Sequence, residues 1–459
     1  MKKAYNVILT LFIFAQACYG YNILFYNAAR LGQSHVFFSG KLADWLVEAG
    51  HNVTFYQQHM FDSVSKTGVK LAKTYVRPPH NITVDDFDST NFWYSENEYF
   101  LEHFGIAQAQ ACKSQLRDNQ LIEQIKSENY DFAVVEFIDF CAYAIIEKAG
   151  IKNYATTSPI IPIKGIFDAL GLPLGIGVVP GWYESFSKVP TYYERAKALF
   201  EFYKSAIYMT SISTPVISAI QNLHDSTFNP NEKIGKSSYI YMNIDEHLTF
   251  QTPITSKMIF VGGIGAQNRP VAKLSPDYKN IFNSAKRGVV LISFGTALKT
   301  NIMPEKFIQA IVSMAKRNPD INFIWKYDDN DNIGANVTNL YKRKWIPQHD
   351  VLANPKLLAF ITHGGLNSIV EATELGVPTV CMPIFGDQHM NCQAVQSHGL
   401  SITIEKTFVT TSNLKMALNR VLKDQKIHKK VRRMADLINN KPFTPKEQFA
   451  GLYYIYIDL

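Results

Sequence analysis

The chain has 459 residues, enough for two or three domains with large cores. Its composition is that of an ordinary globular protein, rich in Phe and Tyr, which excludes a disordered or fibrous chain. The formal charge of +7 is small and spread out; the dense basic run at 426–433 reads as the solvated face of a helix, so nucleic acid is not an expected partner.

Residues 1–20 read as a secretory signal. Lys2 and Lys3 form a charged start, 7–17 is an apolar run, and Cys18-Tyr19-Gly20 supplies small residues for cleavage after Gly20. Sequons at Asn52, Asn81 and Asn336 agree with N-glycosylation in the secretory lumen. Four cysteines remain beyond the signal: Cys112, Cys141, Cys381 and Cys392. They do not form a disulfide framework for a chain of this size, and Cys141 and Cys381, in apolar surroundings, are expected as buried thiols. No Cys/His spacing suggests a metal site.

A first α/β unit follows the signal. Residues 21–27 read as a strand, 28–33 as a loop, 35–49 as a helix stopped by Gly50, and 52–56 as a second strand. A helix ending at Ser127, a strand over 132–135 and a helix over 141–149 continue the alternation. From 158 to 190 Pro and Gly recur among large apolar residues, which suits an irregular wall of an acceptor pocket. Residues 194–209 and 214–223 look like two helices. The stretch 266–277 lacks periodicity and holds two prolines, so it is taken as a linker. A second α/β half begins near Tyr278, with strands over 288–293 and 321–326 and a helix over 304–316. Late helices are expected over 412–422 and 426–440. The predicted domains are thus 21–265 and 278–425, with 426–459 as a helix and tail. Two Rossmann-like halves facing a cleft suit a transferase with two substrates.

The densest chemistry lies in 345–388. An apolar strand over 357–361 ends at Thr362-His363-Gly364-Gly365, and a helix follows over 366–375. Bare backbone amides at a helix start suit a phosphate. His363 adds a ring donor, Asn367 and Ser368 lie in the first helical turn, and Glu371 stands about one turn further, where a carboxylate can accept ribose hydroxyls. Trp345 offers a flat face for a base and Gln348 two edges for its hydrogen bonds. A second apolar run, 377–382, leads to Asp387 and Gln388, in reach of sugar hydroxyls. Ser293, Gly295 and Thr296 end the first strand of this half beside a diphosphate.

These elements, in type, order and spacing, resemble the UDP-glycosyltransferase signature, and the chain resembles the animal UDP-glucuronosyltransferases, including their nematode members. The signature covers about a tenth of the chain. The resemblance implies a GT-B fold, with UDP-sugar in the C-terminal half and a small lipophilic acceptor in the N-terminal half. It assigns uracil to Trp345 and Gln348, ribose to Glu371, diphosphate to His363, Asn367 and Ser368, and the sugar to Asp387 and Gln388. UDP-glucuronate or UDP-glucose is then a donor co-substrate, and no cofactor is held permanently. Arg269 and Lys273, in the linker, are the cations that a glucuronate carboxylate could use.

Glycosyl transfer with inversion needs a base for the acceptor hydroxyl. His35 stands where the first strand gives way to a helix, with Ser34 as a natural N-cap, and the positive helix end is expected to keep the ring neutral. The family places its catalytic histidine in this serine-histidine context. Glu136, at a strand end, is the expected carboxylate partner; Asp139 is the competing one. Many family members have Asp where this chain has Glu136. Membrane-bound relatives carry a hydrophobic span after the donor domain. Here 449–459 is aromatic but too short to cross a bilayer, which points to the endoplasmic reticulum lumen or to secretion. The family usually has a helix that returns to the N-terminal domain, and 426–440 is expected to fill that role. An alternative reading is a tailless homologue of low activity that modulates membrane-bound partners in hetero-oligomers; homo-oligomers are also open. Detoxification is the process the resemblance suggests.

Overall fold

The computed structural model of the protein describes residues 20–27, 32–59, 66–77, 90–94, 98–175, 191–264, 269–296 and 298–457. The signal up to position 19, the Asn81 sequon, the 176–190 part of the predicted pocket wall and the start of the linker lie outside them.

Two wholly parallel sheets carry the fold. The first runs from β1 (Asn22–Asn27) through β2 (Asn52–Gln58), β3 (Lys73–Arg77), β4 (Phe132–Glu136), β5 (Tyr154–Ser158) and β6 (Ile240–Met242) to β7 (Met258–Phe260). Its spatial order is β3-β2-β1-β4-β5-β6-β7. The second contains β8 (Gly288–Ser293), β9 (Ile321–Lys326), β10 (Leu340–Arg343), β11 (Leu357–Thr362), β12 (Thr379–Cys381) and β13 (Ser401–Thr403), ordered β10-β9-β8-β11-β12-β13. Helices cover both faces of each sheet, so the central strands are apolar along their length. Every residue of β8 and β9 is buried, and Val289, Val290, Leu291 and Ile292 lie at 0 % exposure.

Both orders turn back on themselves, between β1 and β4 in one sheet and between β8 and β11 in the other. Such a reversal opens a crevice at the carboxyl ends of the two strands, because the connecting helices leave to opposite faces. The register places particular residues there. Tyr26 pairs with Val135, so the end of β1 lies beside Glu136. Thr362 pairs with Ser293 on one side and Cys381 on the other, which brings the loops after β8 and β11 together.

The helices that matter to the site are, in order, α1 (Gln33–Glu48), α2 (Thr90–Tyr94), α3 (Glu98–Arg117), α4 (Phe140–Lys148), α5 (Tyr192–Leu223), α6 (Leu366–Glu374), α7 (Gln388–Ser397), α8 (Gln425–Asn439) and α9 (Pro445–Ile457). Several sequence expectations need correction. The two helices expected over 194–223 are one, α5, which runs through Pro215. The proline removes a single amide donor, and α3 packs along α5. Before the proline, the Ser213 and Thr214 hydroxyls donate to the Met209 and Thr210 carbonyls at 2.8 and 2.7 Å. The irregular stretch after Ser158 contains a short helix, Lys164–Ala169.

Cys141 is not a free thiol: it is joined to Cys112. The two lie 29 positions apart, on α4 and α3, and only the packing of those helices brings them together. Cys381 and Cys392 are free and buried.

The helix that returns to the first sheet is α9, not 426–440. The apolar stripe of α8 (Ile427, Val431, Ala435, Ile438) is buried, and the helix packs against α6. Lys441 then turns the chain, held 2.7 Å from the buried carboxylate of Asp245 just past β6. Along α9, Phe449 is fully buried, with ring centroids 4.6 Å from Tyr241 and 6.2 Å from Trp45. Among the described residues no helix is long and apolar enough to cross a membrane.

Candidate active site

His35 sits in the first turn of α1. Gly32 occupies the N-cap position there and makes no side-chain cap bond, so the expected Ser34 cap is not formed; Ser34 lies inside the helix. His35 Nδ1 lies 2.6 Å from Glu136 Oε1, and both side chains are buried. Asp139, the competing partner, accepts the Ala142 amide at 3.1 Å and caps α4 instead. Burial disfavours the imidazolium, but the Glu136 charge and hydrogen bond outweigh it, Asp387 adds to them, and the His35 pKa is raised above 6.5. The expected neutral-ring effect of the helix terminus is thus overcome by a carboxylate in contact.

Asp387 belongs to the second sheet's half, yet its charge couples to His35 of the first. It precedes α7, and Asn391 Nδ2 donates to Asp387 Oδ2 at 2.7 Å. Desolvation raises the Asp387 pKa, opposed by Asn391 and by His35. Gln388 is buried, and its Oε1 accepts the amides of Ile384 and Phe385 at 2.9 and 3.1 Å. Its carbonyl therefore shapes the loop.

The glycine turn after β11 has a specific packing reason. The His363 ring lies between Gly295 and Gly365: a Cβ on either would come within 2.8 or 2.7 Å of ring atoms. Gly295 also has φ 78°, a conformation that other residues adopt at a cost. Desolvation lowers the His363 pKa to about 4, against a hydrogen bond to the Ser293 main chain and with the Lys326 charge adding to the fall. Unpaired backbone amides open α6, an arrangement that suits an anion, and Asn367 is exposed in its first turn. Ser293 is buried, its Oγ accepting the Gly295 amide at 3.4 Å; Thr296 is exposed.

Gln348, Ser368 and Glu371 come together. Gln348 Nε2 donates to Glu371 Oε2 at 2.7 Å and to Ser368 Oγ at 3.1 Å. Ser368 thus sits with Gln348 and Glu371. Desolvation raises the Glu371 pKa, opposed by Gln348, by His349 at 3.3 Å and by the Arg269 charge. The Arg269 charge thus acts on Glu371, while Lys273 is exposed. Trp345 is 74 % exposed, so a face of its indole is open.

Four residues beside these loops were missed in the sequence. His349 is buried beside Glu371. On α2, the Trp93 Nε1 donates to the Lys299 carbonyl at 3.1 Å, and Phe92 stacks on Phe385 at 4.1 Å, so this short helix holds both loops of the second half. Asn243, after β6, donates to Asn367 Oδ1 at 2.9 Å. No periodicity marks these residues, because each acts across a chain reversal.

Residues 70–455 match the family described as UDP-glucoronosyl and UDP-glucosyl transferase. Similar proteins include one named as UDP-glucuronosyltransferase ugt-47 of Caenorhabditis briggsae, 26 % identical over 98 % of this chain and 86 % of the relative. Its namesake in Caenorhabditis elegans is 27 % identical over 97 % and 86 %. The UDP-glucuronosyltransferase 3A1 of Bos taurus is 25 % identical over 94 % and 84 %. Among solved structures, a UDP-glucose: anthocyanidin 3-O-glucosyltransferase in complex with UDP superposes with a TM-score of 0.67 at 13 % identity, covering 96 % of this chain and 99 % of the other. The glycotransferase of kitacinnamycin gives 0.65 at 17 %, covering 95 % and 99 %. The likeness shows the fold, GT-B.

Proposed function

The chain belongs to the family of UDP-glucuronosyl and UDP-glucosyl transferases and is a UDP-sugar glycosyltransferase, and we propose that it moves glucuronate, or glucose, with inversion onto a hydroxyl of a small lipophilic acceptor. The observation that carries this reading is the His35–Glu136 pair at 2.6 Å in one half, coupled in charge to Asp387 in the other. With Nδ1 engaged by Glu136, Nε2 is the basic atom left on the ring. It takes the acceptor's hydroxyl proton as that oxygen attacks the anomeric carbon. The bond from that carbon to the β-phosphate oxygen breaks, its electrons leave on UDP, and the configuration inverts. Glu136 holds the ring in one tautomer and stabilises its cation. The charge growing on the diphosphate meets the amides opening α6 and Asn367.

In this reading the unit 21–265 binds the acceptor, 278–425 binds UDP-sugar, and 266–277 links them. Trp345 stacks on uracil, Gln348 reads its edge, and Glu371 accepts the ribose hydroxyls. Asp387 and Gln388 take the sugar. Entry into the secretory lumen and N-glycans are part of the same proposal: Asn336 is exposed in a turn and Asn52 is exposed at the start of β2.

The test is turnover by the purified protein with UDP-glucuronate against UDP-glucose, over a panel of phenols and hydroxylated lipids. The α-linked donor should give a β-linked product, read by proton NMR. An α-linked product would remove the single-displacement mechanism. Release of UDP without sugar transfer across the panel would remove the acceptor class.

A further inference from the structure

We propose that Asn243 is a positioning residue of the donor site, which turns the Asn367 amide so that its NH2 end faces the diphosphate, and does so only when the two halves are closed on each other. This rests on the reading of Asn367 as a diphosphate ligand.

The argument starts from a group with no ambiguity. A peptide carbonyl accepts hydrogen bonds and never donates. Asn243 Nδ2 lies 3.2 Å from the Pro159 carbonyl oxygen, so the NH2 end of the Asn243 amide is the one on that side. The rest of Asn243 is pinned as well. It is 3 % exposed, and its backbone N–H donates to the Ser158 carbonyl at 2.8 Å, at the end of β5. The second hydrogen of the same NH2 goes to Asn367 Oδ1 at 2.9 Å. The polarity set by Pro159 is thereby passed to Asn367, whose own NH2 must point the other way.

That orientation matters because Asn367 is exposed and its terminal torsion has two nearly equal settings. One presents NH2 groups to an anion at the start of α6. The other presents a carbonyl oxygen, which repels it. A lone exposed asparagine would populate both. Asn243 removes the unproductive one from behind. It also belongs to the first sheet's half, whereas Asn367 belongs to the second. The bond therefore exists only at the closed spacing, and diphosphate binding and closure favour each other by the same free energy.

The experiment is a double-mutant cycle on the full chain, with UDP titrated by calorimetry into wild type, Asn243→Ala, Asn367→Ala and the double variant. Asn367→Ala is expected to weaken UDP by roughly 10–100-fold, the equivalent of one hydrogen bond to a charged group; Asn243→Ala should cost about twofold for the freed amide setting and roughly a further 2–10-fold for the lost bond between the halves. The double should bind within about twofold of Asn367→Ala, since Asn243 acts only through Asn367. Uridine, which lacks the diphosphate, should bind Asn243→Ala as it binds wild type. Melting midpoints check folding, and Asn243→Asp, which has the same shape but cannot donate to Pro159 or Asn367, replaces the alanine variant if that one does not fold. Losses that add in the double variant, an equal loss for uridine, or wild-type UDP binding by Asn243→Asp would each overturn the proposal. If Asn367→Ala weakens UDP and Asn243→Ala does not, this inference alone fails. If neither Asn367→Ala nor Glu371→Ala changes UDP binding, the reading of the donor site fails and takes this one with it.

Discussion

His35 and Glu136 stand 101 positions apart and meet at 2.6 Å, Nδ1 to Oε1, where β4 ends beside the first turn of α1. Glu136 reaches the ring from the last residue of β4. The pair is buried, and its charge coupling to Asp387 crosses from one half of the molecule to the other.

Replacing His35 with alanine should remove transfer while leaving UDP affinity within a few-fold. His35 lies on α1 of the first half and the glycine turn follows β11 of the second, and loss of a general base costs ~10²–10⁴ in rate. Steady-state rates and UDP calorimetry on the same preparation check it. Wild-type turnover in the variant would rule His35 out as the base.

The pH dependence follows from the sign of the His35 shift. The ring must be neutral to act, and its pKa is raised above 6.5, so kcat/KM should climb only as pH rises past that raised value. For stability the direction is opposite: the raised pKa contributes below 6.5, and the contribution is lost as pH rises through the folded value. Glu136→Gln removes the charge that raises the pKa and leaves burial, which lowers it. The acid limb should move to lower pH while the plateau rate falls. An unmoved limb would mean that another group titrates there.

Glu371→Ala should weaken UDP by ~10–100-fold, the equivalent of roughly 1.5–3 kcal/mol for a hydrogen bond to a charged acceptor. The variant also strands Gln348, which donates to Glu371 at 2.7 Å. Calorimetry with UDP and with a candidate acceptor separates the roles; acceptor affinity should hold. Equal UDP dissociation constants in variant and wild type would take Glu371 out of the site.

Phe449→Ala should destabilise the fold by ~3–5 kcal/mol, as truncation of a fully buried phenylalanine does. Its ring fills the space between Trp45 and Tyr241, and its loss frees α9 from the first half. Limited proteolysis should then cut the C-terminal helix first. A protease pattern like the wild type's would show that Lys441 and Lys446 hold α9 without it.

Reducing the Cys112–Cys141 bond, or replacing both residues with serine, should cost ~2–4 kcal/mol, a figure set by the chain closed between them. Denaturation with and without reductant measures it. An unchanged midpoint would mean that the packing of α3 on α4 already restrains the unfolded chain.

Much of the architecture was legible in the chain itself. Residues 288–293 and 321–326 are apolar runs of strand length bounded by breakers, and they are β8 and β9 as expected. The Gly364-Gly365 turn and the helix after it announce themselves locally, because a strand-glycine-helix turn is built from consecutive residues. What the chain could not reveal is contact between distant segments. Glu136 was preferred to Asp139 from its place at the strand end, but the Cys112–Cys141 bond depended on how α3 meets α4. The return of α9 rather than α8 depended on which apolar face was already buried against α6. The neutral His363 needed a measure of desolvation between two glycines. Periodicity records which face of an element is buried, but not what buries it, and hydrogen bonds such as Asn243 to Asn367 form only once the sheets have set the distance.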